Sequence, residues 1–195
     1  MNVITNCGKR IILIAWIVFI IFTFIFSFSY FLFAILILLH LFYKRAEREI
    51  SDDDSNIIVS PIDADVVDIR VDEEQKIISL VLKKTYFSVL FKSSELRSVI
   101  KSENIKLNSI NGIKYSDDFY CNCKEITYND NIICVVKPAE FSVFCLDTLY
   151  KVRKGQRIGF LSSGIIEIKL PYNSTILVGL GDKILANSNI ARLGD

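Results

Sequence analysis

Histidine is almost absent from this chain. The single one, His40, lies inside a long apolar run near the N-terminus. No imidazole outside that run is therefore available as a general base or as a metal ligand. The simplest role for His40 is that of an interfacial side chain near the lipid headgroups.

The five cysteines lack the spacing of a zinc site, because no C-x-x-C pair occurs among them. Cys134 lies in an apolar stretch typical of a buried strand, and Cys121 and Cys123 would share one face of another strand. The remaining two are Cys7 and Cys145. We expect free, mostly buried thiols in a reducing compartment, no metal site and no bound cofactor.

An excess of positive charge is also missing. The chain has 23 Lys and Arg residues against 22 Asp and Glu residues. Without a basic field, a nucleic-acid partner is not expected. The acidic cluster at residues 52–54 is most simply part of a solvated linker.

Charged residues are absent from Ile11 to Tyr43. As one helix, at ~1.5 Å per residue, this run would be roughly 50 Å long, against a hydrocarbon core of about 30 Å. Two short helices folded back at residues 27–30 fit better, as a hairpin in the bilayer. The run is too long for a secretory signal and has no small-residue cleavage site.

Basic residues flank the apolar run on both sides. They are Lys9 and Arg10 before it, and Lys44, Arg45 and Arg48 after it. Such flanks favour the cytoplasmic side, and only a hairpin places both of them there. We predict a membrane anchor over residues 1–48 in a bacterial inner membrane, with both chain ends and the following domain in the cytoplasm. A single tilted span is the alternative.

After an acidic linker at residues 49–56, residues 57–195 show short β segments separated by polar turns. The predicted strands are residues 56–59, 65–71, 76–82, 132–136, 141–146, 165–170 and 174–178. One short helix is predicted at residues 93–101, where Leu96, Val99 and Ile100 would fall on one face.

A weak internal repeat joins two parts of this domain. Residues 152–159 return 26 residues later as residues 178–185, each with a glycine turn followed by a strand. We expect the glycine to supply a positive φ and the isoleucine after it to enter the core. Turns of this kind recur in barrel-sandwich folds such as lipoyl domains.

Five segments resemble motifs of the small, pyruvoyl-dependent phosphatidylserine decarboxylases, in the family's order over roughly residues 42–194. They are residues 42–48, similar to F-F-R-D-P-x-R; 59–67, similar to V-S-P-A-D-G-x-V-V; 155–159, similar to G-E-R-I-G; 166–171, similar to V-D-V-Y-L-P; and 181–184, similar to G-D-K-V. The resemblance implies a mainly β domain of the barrel-sandwich, lipoyl-like type and a role in phosphatidylethanolamine metabolism.

The family's chemistry defines what this chain should contain. A serine attacks the preceding carbonyl, and elimination leaves a pyruvoyl group that forms a Schiff base with phosphatidylserine. A histidine backed by a carboxylate is thought to serve as the base. The resemblance also places the carboxylate beside the cleavage point, so that residues 60–65 and 162–164 should lie close together.

The matching positions depart from that pattern. Asp63 matches the carboxylate, as a catalytic remnant or as a turn-capping residue. Gly164 occupies the place of the reactive serine, and Ser88, Val89 and Leu90 stand where the family has its D-V-H segment.

The sequence supports three hypotheses. The first is a non-catalytic relative whose partners are the bilayer, a phospholipid, and a second copy of itself or an active paralogue. The second is an active decarboxylase that processes itself at Ser162-Ser163, with Ser163 as nucleophile and a self-derived pyruvoyl group. The third is an anchored lipoyl-like adaptor module, although residues 69–152 lack the heptads of that class's helical hairpin.

Overall fold

The computed structural model describes residues 5–44, 47–50, 54–86, 88, 92–110, 113–115, 118–120, 123–129, 131–147 and 150–194. Predictions concerning Met1, Arg45, Ala46, Asp52, Asp53, Val89, Leu90, Cys121 and Asp195 lie outside the described residues. The helices are α1 (Asn6–Phe26) and α2 (Tyr30–Phe42). The strands are β1 (Ile57–Val59), β2 (Ala64–Asp72), β3 (Ile77–Lys84), β4 (Glu95–Arg97), β5 (Ile105–Ile110), β6 (Ile113–Tyr115), β7 (Asp118–Tyr120), β8 (Cys123–Tyr128), β9 (Ile132–Pro138), β10 (Phe144–Leu146), β11 (Arg157–Leu161), β12 (Gly164–Pro171), β13 (Thr175–Ile176), β14 (Lys183–Ile184) and β15 (Asn189–Arg192).

The apolar run forms two helices that break where the sequence predicts. Ser27 ends α1 with a positive φ of 91°, and the Ser29 hydroxyl accepts the N–H of Leu32 at the start of α2. The expectation of two short arms was wrong for α1, which has 21 residues against 13 in α2. Among the described residues, α1 is the one helix long and apolar enough to cross a membrane.

The two helices pack side by side as a hairpin. At its base, the Thr5 N–H donates to the Tyr43 carbonyl at 3.1 Å. Further along, the Trp16 and His40 rings meet edge to face at 6.1 Å. Gly8 faces the Tyr43 ring so closely that a Cβ at this position would overlap it.

The domain after the hairpin is built on a seven-stranded antiparallel sheet in the order β14-β2-β3-β12-β9-β8-β5. Leu80 and Leu82 in β3 and Ile166 and Ile168 in β12 point to one face and form the main core. Two three-stranded sheets, β1-β15-β13 and β10-β11-β4, close over that face. The prediction of a mainly β chain with an N-terminal apolar helix is therefore confirmed.

The predicted strands correspond to β1, β2, β3, β9, β10, β12 and β13, with shifted ends. The predicted helix at residues 93–101 is wrong. Leu96, Val99 and Ile100 are buried as expected, but Glu95–Arg97 is a strand. The backbone of this segment pairs with distant chain instead: the Arg97 N–H donates to the Pro61 carbonyl, and the Ser98 N–H to the Gln156 carbonyl.

The internal repeat is present in the structure. Gly155 and Gly181 have φ of 67° and 83°, and Ile158 and Ile184 are buried, as expected. The hydrogen bonds repeat too. Gly155 N–H and the Gln156 carbonyl pair with Ser98, while Gly181 N–H and the Asp182 carbonyl pair with Val66.

Candidate functional site

The residues that the resemblance singles out lie at one end of the seven-stranded sheet. We call this the anchor end and define it by Ala64 of β2, Lys84 of β3, Pro138 of β9 and Gly164 of β12. Asp63 directly precedes Ala64, and β3 separates β2 from β12. Asp63 and Ser163 therefore lie at the same end of the sheet, roughly 10 Å apart at two strand spacings.

Asp63 is fully buried, and its carboxylate is saturated by donors. One oxygen accepts the N–H of Ala186 at 2.7 Å. The other accepts the N–H of Ser93 at 2.7 Å and the Arg48 guanidinium at 3.1 Å. These donors come from three separate segments, and their hydrogen bonds hold those segments against the start of β2.

Lys84 is the buried cation of this end. Its ammonium donates to the Ser93 carbonyl at 2.8 Å. Burial lowers the pKa of Lys84 to about 8, although the nearby Asp63 opposes the shift. A lysine with such a pKa can lose its proton near neutral pH, which makes it the strongest candidate base here among the described residues.

The two serines before Gly164 are both engaged. The Ser162 hydroxyl accepts the N–H of Val143 at 2.8 Å. The Ser163 hydroxyl donates to the backbone carbonyl of Lys84 at 3.0 Å, and both serines are buried. The hydroxyl hydrogen of Ser163 is thus directed at a carbonyl, which cannot take it up as a base does.

Gly164 occupies a position that excludes larger residues. Its φ of 149° is one that L side chains rarely adopt, and a Cβ there would overlap the Lys137 carbonyl. The close approach follows from the sheet, in which Gly164 pairs with Lys84 on one side and Pro138 on the other. A serine at position 164 would not fit this backbone.

The histidine of the chain lies apart from this end of the sheet. His40 is in the last turn of α2, where its Nδ1 lies 2.8 Å from the Leu36 carbonyl. At the family's histidine position, the Ser88 hydroxyl donates to the Thr85 carbonyl at 2.6 Å.

A network of charges, not foreseen from the sequence, ties the end of the anchor segment to the domain. Arg157 bonds the exposed Glu47, just after the hairpin, and the buried Glu95, each at 2.8 Å, and Glu95 also pairs with Arg97 at 3.3 Å. Burial lowers the pKa of Arg97. Burial also acts against the charge of Arg157, but hydrogen bonds to Glu95 and Glu47 raise its pKa.

The expectation of free thiols throughout is corrected at two positions. Cys7 at the start of α1 and Cys145 in β10 form a disulfide, with Cα atoms 6.6 Å apart. The helices supply Cys7 by folding back, which the sequence spacing of 138 residues conceals. Cys123 and Cys134 are buried, and burial raises the pKa of Cys134 to about 12, so the Cys134 thiol is unreactive.

Aromatic packing reinforces the disulfide. Phe160 of β11, which pairs with Cys145, stacks on Tyr43 at 5.3 Å and on Phe42 at 5.9 Å. Ile12, Tyr43 and Phe160 form a small buried cluster between hairpin and domain. The hairpin base is therefore fixed to β10 and β11.

Within the described residues, no group of three or more His, Cys, Asp and Glu side chains is placed to hold a metal ion. Comparison of the chain with protein-family models, with curated proteins and with solved structures gave no match.

Proposed function

We propose that this chain is a membrane-anchored, non-catalytic relative of the phosphatidylserine decarboxylases that acts in phospholipid metabolism. The observation that carries the proposal is Gly164. The backbone at the family's cleavage position has no room for the serine that would make the pyruvoyl cofactor.

The segments that resemble the family also contact one another, which supports a shared scaffold. Arg48 of the first segment binds Asp63 of the second. The backbone of Val66 in the second pairs with Gly181 and Asp182 of the last. On this proposal the domain is of the barrel-sandwich, lipoyl-like type, and the repeated glycine turns are part of that architecture.

We further propose that the hairpin lies in a bacterial inner membrane with the domain on the cytoplasmic side. The Cys7–Cys145 disulfide is typical of an oxidising compartment and favours the opposite side. We give more weight to the basic flanks, because they act during insertion, whereas two neighbouring thiols form a disulfide whenever an oxidant reaches them. Either way, both ends of the anchor lie on one side.

Cysteine labelling tests this orientation. Lys9→Cys and Tyr172→Cys place thiols at exposed positions in the first turn of α1 and in the domain. In intact cells, a membrane-impermeant maleimide should label neither, and permeabilised cells should label both. Labelling of only one of them in intact cells would reject the hairpin, and labelling of both would place the domain outside.

The alternative is an active decarboxylase that cleaves itself between Ser162 and Ser163. Two observations favour it. The Ser163 hydroxyl donates to the backbone carbonyl of Lys84, and burial lowers the pKa of the Lys84 amine. The amine, however, is bonded to the Ser93 carbonyl. Losing general-base help typically slows such a step by about 100- to 10,000-fold.

Intact-mass measurement of the purified full-length chain separates the two functions. The non-catalytic protein should give one species near 22.3 kDa and release no carbon dioxide from phosphatidylserine micelles. A fragment that begins at residue 163, carries a blocked N-terminus and disappears in both Ser163→Ala and Lys84→Met would establish the alternative. Ser162→Ala is the matched control, because its hydroxyl is not the nucleophile.

Gly164→Ser tests the central argument directly. Because the added Cβ overlaps the Lys137 carbonyl, this variant should be less stable and remain uncut. Self-cleavage of Gly164→Ser would overturn the claim that the position is closed.

A further inference from the structure

The seven-stranded sheet is oriented with its anchor end toward the hairpin. Arg48, just after the hairpin, binds Asp63 at the start of β2. Val143 and Cys145, which follow β9, pack on the cluster that contains Ile12 and Tyr43. The other end of the sheet, at Ile77 and Pro171, lies a full strand length away, roughly 25 Å for β12.

An exposed phenylalanine lies at the anchor end of the sheet. Phe141, between β9 and β10, has 84% of its surface exposed and lies two residues before Val143. The Ser142 N–H and hydroxyl both bind the Ala139 carbonyl, at 2.9 and 2.8 Å, so the loop is a tight turn with Phe141 at its tip. The Phe141 ring at the tip of this tight turn therefore lies in solvent and not in the core of the domain.

Tyr86, in the turn after β3, lies beside it. Its hydroxyl accepts the N–H of Phe141 at 3.1 Å, and its side chain is 44% exposed. The two loops thus present an apolar ring and an amphipathic ring side by side. This combination suits the boundary between lipid chains and headgroups, where aromatic residues are enriched.

The charge around the hairpin base matches that setting. Lys9 and Arg10 in the first turns of α1 and Lys44 after α2 are exposed. Basic side chains at this level favour anionic headgroups, by about 1 kcal/mol each near the surface. The bilayer that surrounds the hairpin would therefore extend to the adjacent loops.

We propose that the turn at residues 139–143, together with Tyr86, is a second membrane contact that inserts Phe141 into the headgroup boundary beside the hairpin. This inference rests on the proposed bilayer attachment and adds that the domain lies on the membrane with its anchor end down. The buried residues Asp63, Lys84 and Ser163 then lie at the end of the sheet nearest the lipid surface.

Fluorescence quenching by brominated phosphatidylcholine tests this contact in vesicles that contain the full-length protein. Trp16, the one tryptophan of the chain, reports the hairpin itself. In a Trp16→Phe background, Phe141→Trp reports the loop and Tyr172→Trp, at the far end of β12, is the matched control. We expect Phe141→Trp to lose about half of its emission with bromine near the headgroups and less with deep bromine, as an interfacial ring should.

The control positions separate the possible failures. Tyr172→Trp should not be quenched, and Tyr86→Trp should follow Phe141→Trp. If Trp16 in the native chain is not quenched, the bilayer attachment itself is wrong. If Trp16 is quenched but Phe141→Trp is not, only the second contact is wrong. Shielding of Phe141→Trp from acrylamide without bromine quenching would assign the loop to a protein contact and also overturn the proposal.

Discussion

The two copies of the glycine turn have the same backbone and different surroundings. In each, the glycine N–H and the next carbonyl pair with one residue of a neighbouring segment, Ser98 or Val66. In each, the side chain of the residue that follows the glycine accepts a backbone N–H from the residue two positions before the glycine. Gln156 accepts from Arg153 at 2.8 Å, and Asp182 accepts from Gly179 at 2.7 Å.

Outside the backbone the copies diverge. In the first, Lys154 and Gly155 are buried. Arg157 binds Glu47, and Phe160 packs on Tyr43 of the hairpin base. In the second, residues 179–183 are exposed. The position that matches Phe160, 26 residues later, is Ala186.

The comparison separates what a local sequence specifies from what its neighbours add. A glycine, a polar acceptor and an isoleucine are sufficient for the turn in both places. Of the two copies, the first also adds the side chains Arg157 and Phe160, which contact Glu47 and the hairpin. Substitutions at matched positions can therefore measure the turn and the attachment separately, by denaturant unfolding of the full-length protein in detergent.

The largest effect is expected from Phe160→Ala. Removal of this fully buried ring leaves a cavity against Tyr43 and Phe42, which should cost about 3–5 kcal/mol of unfolding free energy. Phe160→Leu keeps most of the volume and should cost clearly less. Equal stability of Phe160→Ala and the wild type would contradict the packing of hairpin on domain.

Next comes the pair Gly155→Ala and Gly181→Ala. Both residues have positive φ, so alanine should cost about 1 kcal/mol in each turn. At Gly155 the added Cβ would also lie 2.9 Å from the Asn187 amide oxygen and 3.0 Å from the Ile50 Cδ1, whereas nothing lies within 4 Å at Gly181. We expect Gly155→Ala to lower the denaturation midpoint by about twice as much. Equal midpoints would show that the neighbours yield freely.

Arg157→Ala and Lys183→Ala compare the attachment at matched positions. Loss of Arg157 removes the link to Glu47 and leaves the buried Glu95 with Arg97 as its remaining ion-pair partner in the charge network, at a cost of about 2 kcal/mol. Lys183 is exposed, and its loss should change the unfolding free energy by less than about 0.5 kcal/mol. A similar loss of unfolding free energy at both positions would show that the charge network around Arg157 does not stabilise the attachment.

The turn acceptors form the last matched pair, with a smaller expected loss than that of Arg157→Ala. Gln156→Ala and Asp182→Ala each remove one hydrogen bond to a backbone N–H, worth about 1 kcal/mol. Because the two turns share no partner, the double variant should show the sum of the single losses. A clear departure from additivity, measured by the same unfolding assay, would show that the copies are coupled.

Local sequence patterns were sufficient to predict much of the fold. The length of the uncharged run from Ile11 to Tyr43 was enough to predict two helices and their break, and short apolar segments between polar turns were enough for seven strands. The prediction failed at residues 93–101, where the apolar residues have helical spacing. The backbone of this segment instead forms hydrogen bonds with Pro61, Gln156 and Leu161. Such distant pairing leaves no local trace in one sequence.

The candidate site was predicted only in part. The resemblance to the decarboxylases implied that Asp63 and Ser163 lie in one region, and both lie at the anchor end of the sheet. It gave no sign that Lys84 would be buried beside them, that Arg48 would bind Asp63, or that Cys7 would meet Cys145. Each of these contacts joins segments brought together by the fold and not by spacing along the chain.

The pairing of β1 with β15 has a consequence for synthesis. Ile57 pairs with Arg192, so the strand that follows the linker is completed only by residues made more than a hundred positions later. The hairpin is made before β15, so it can pack or insert while β1 still lacks its partner. On the proposed bilayer attachment, the domain would complete its folding at the membrane surface, with the inserted hairpin holding the unfinished chain in place.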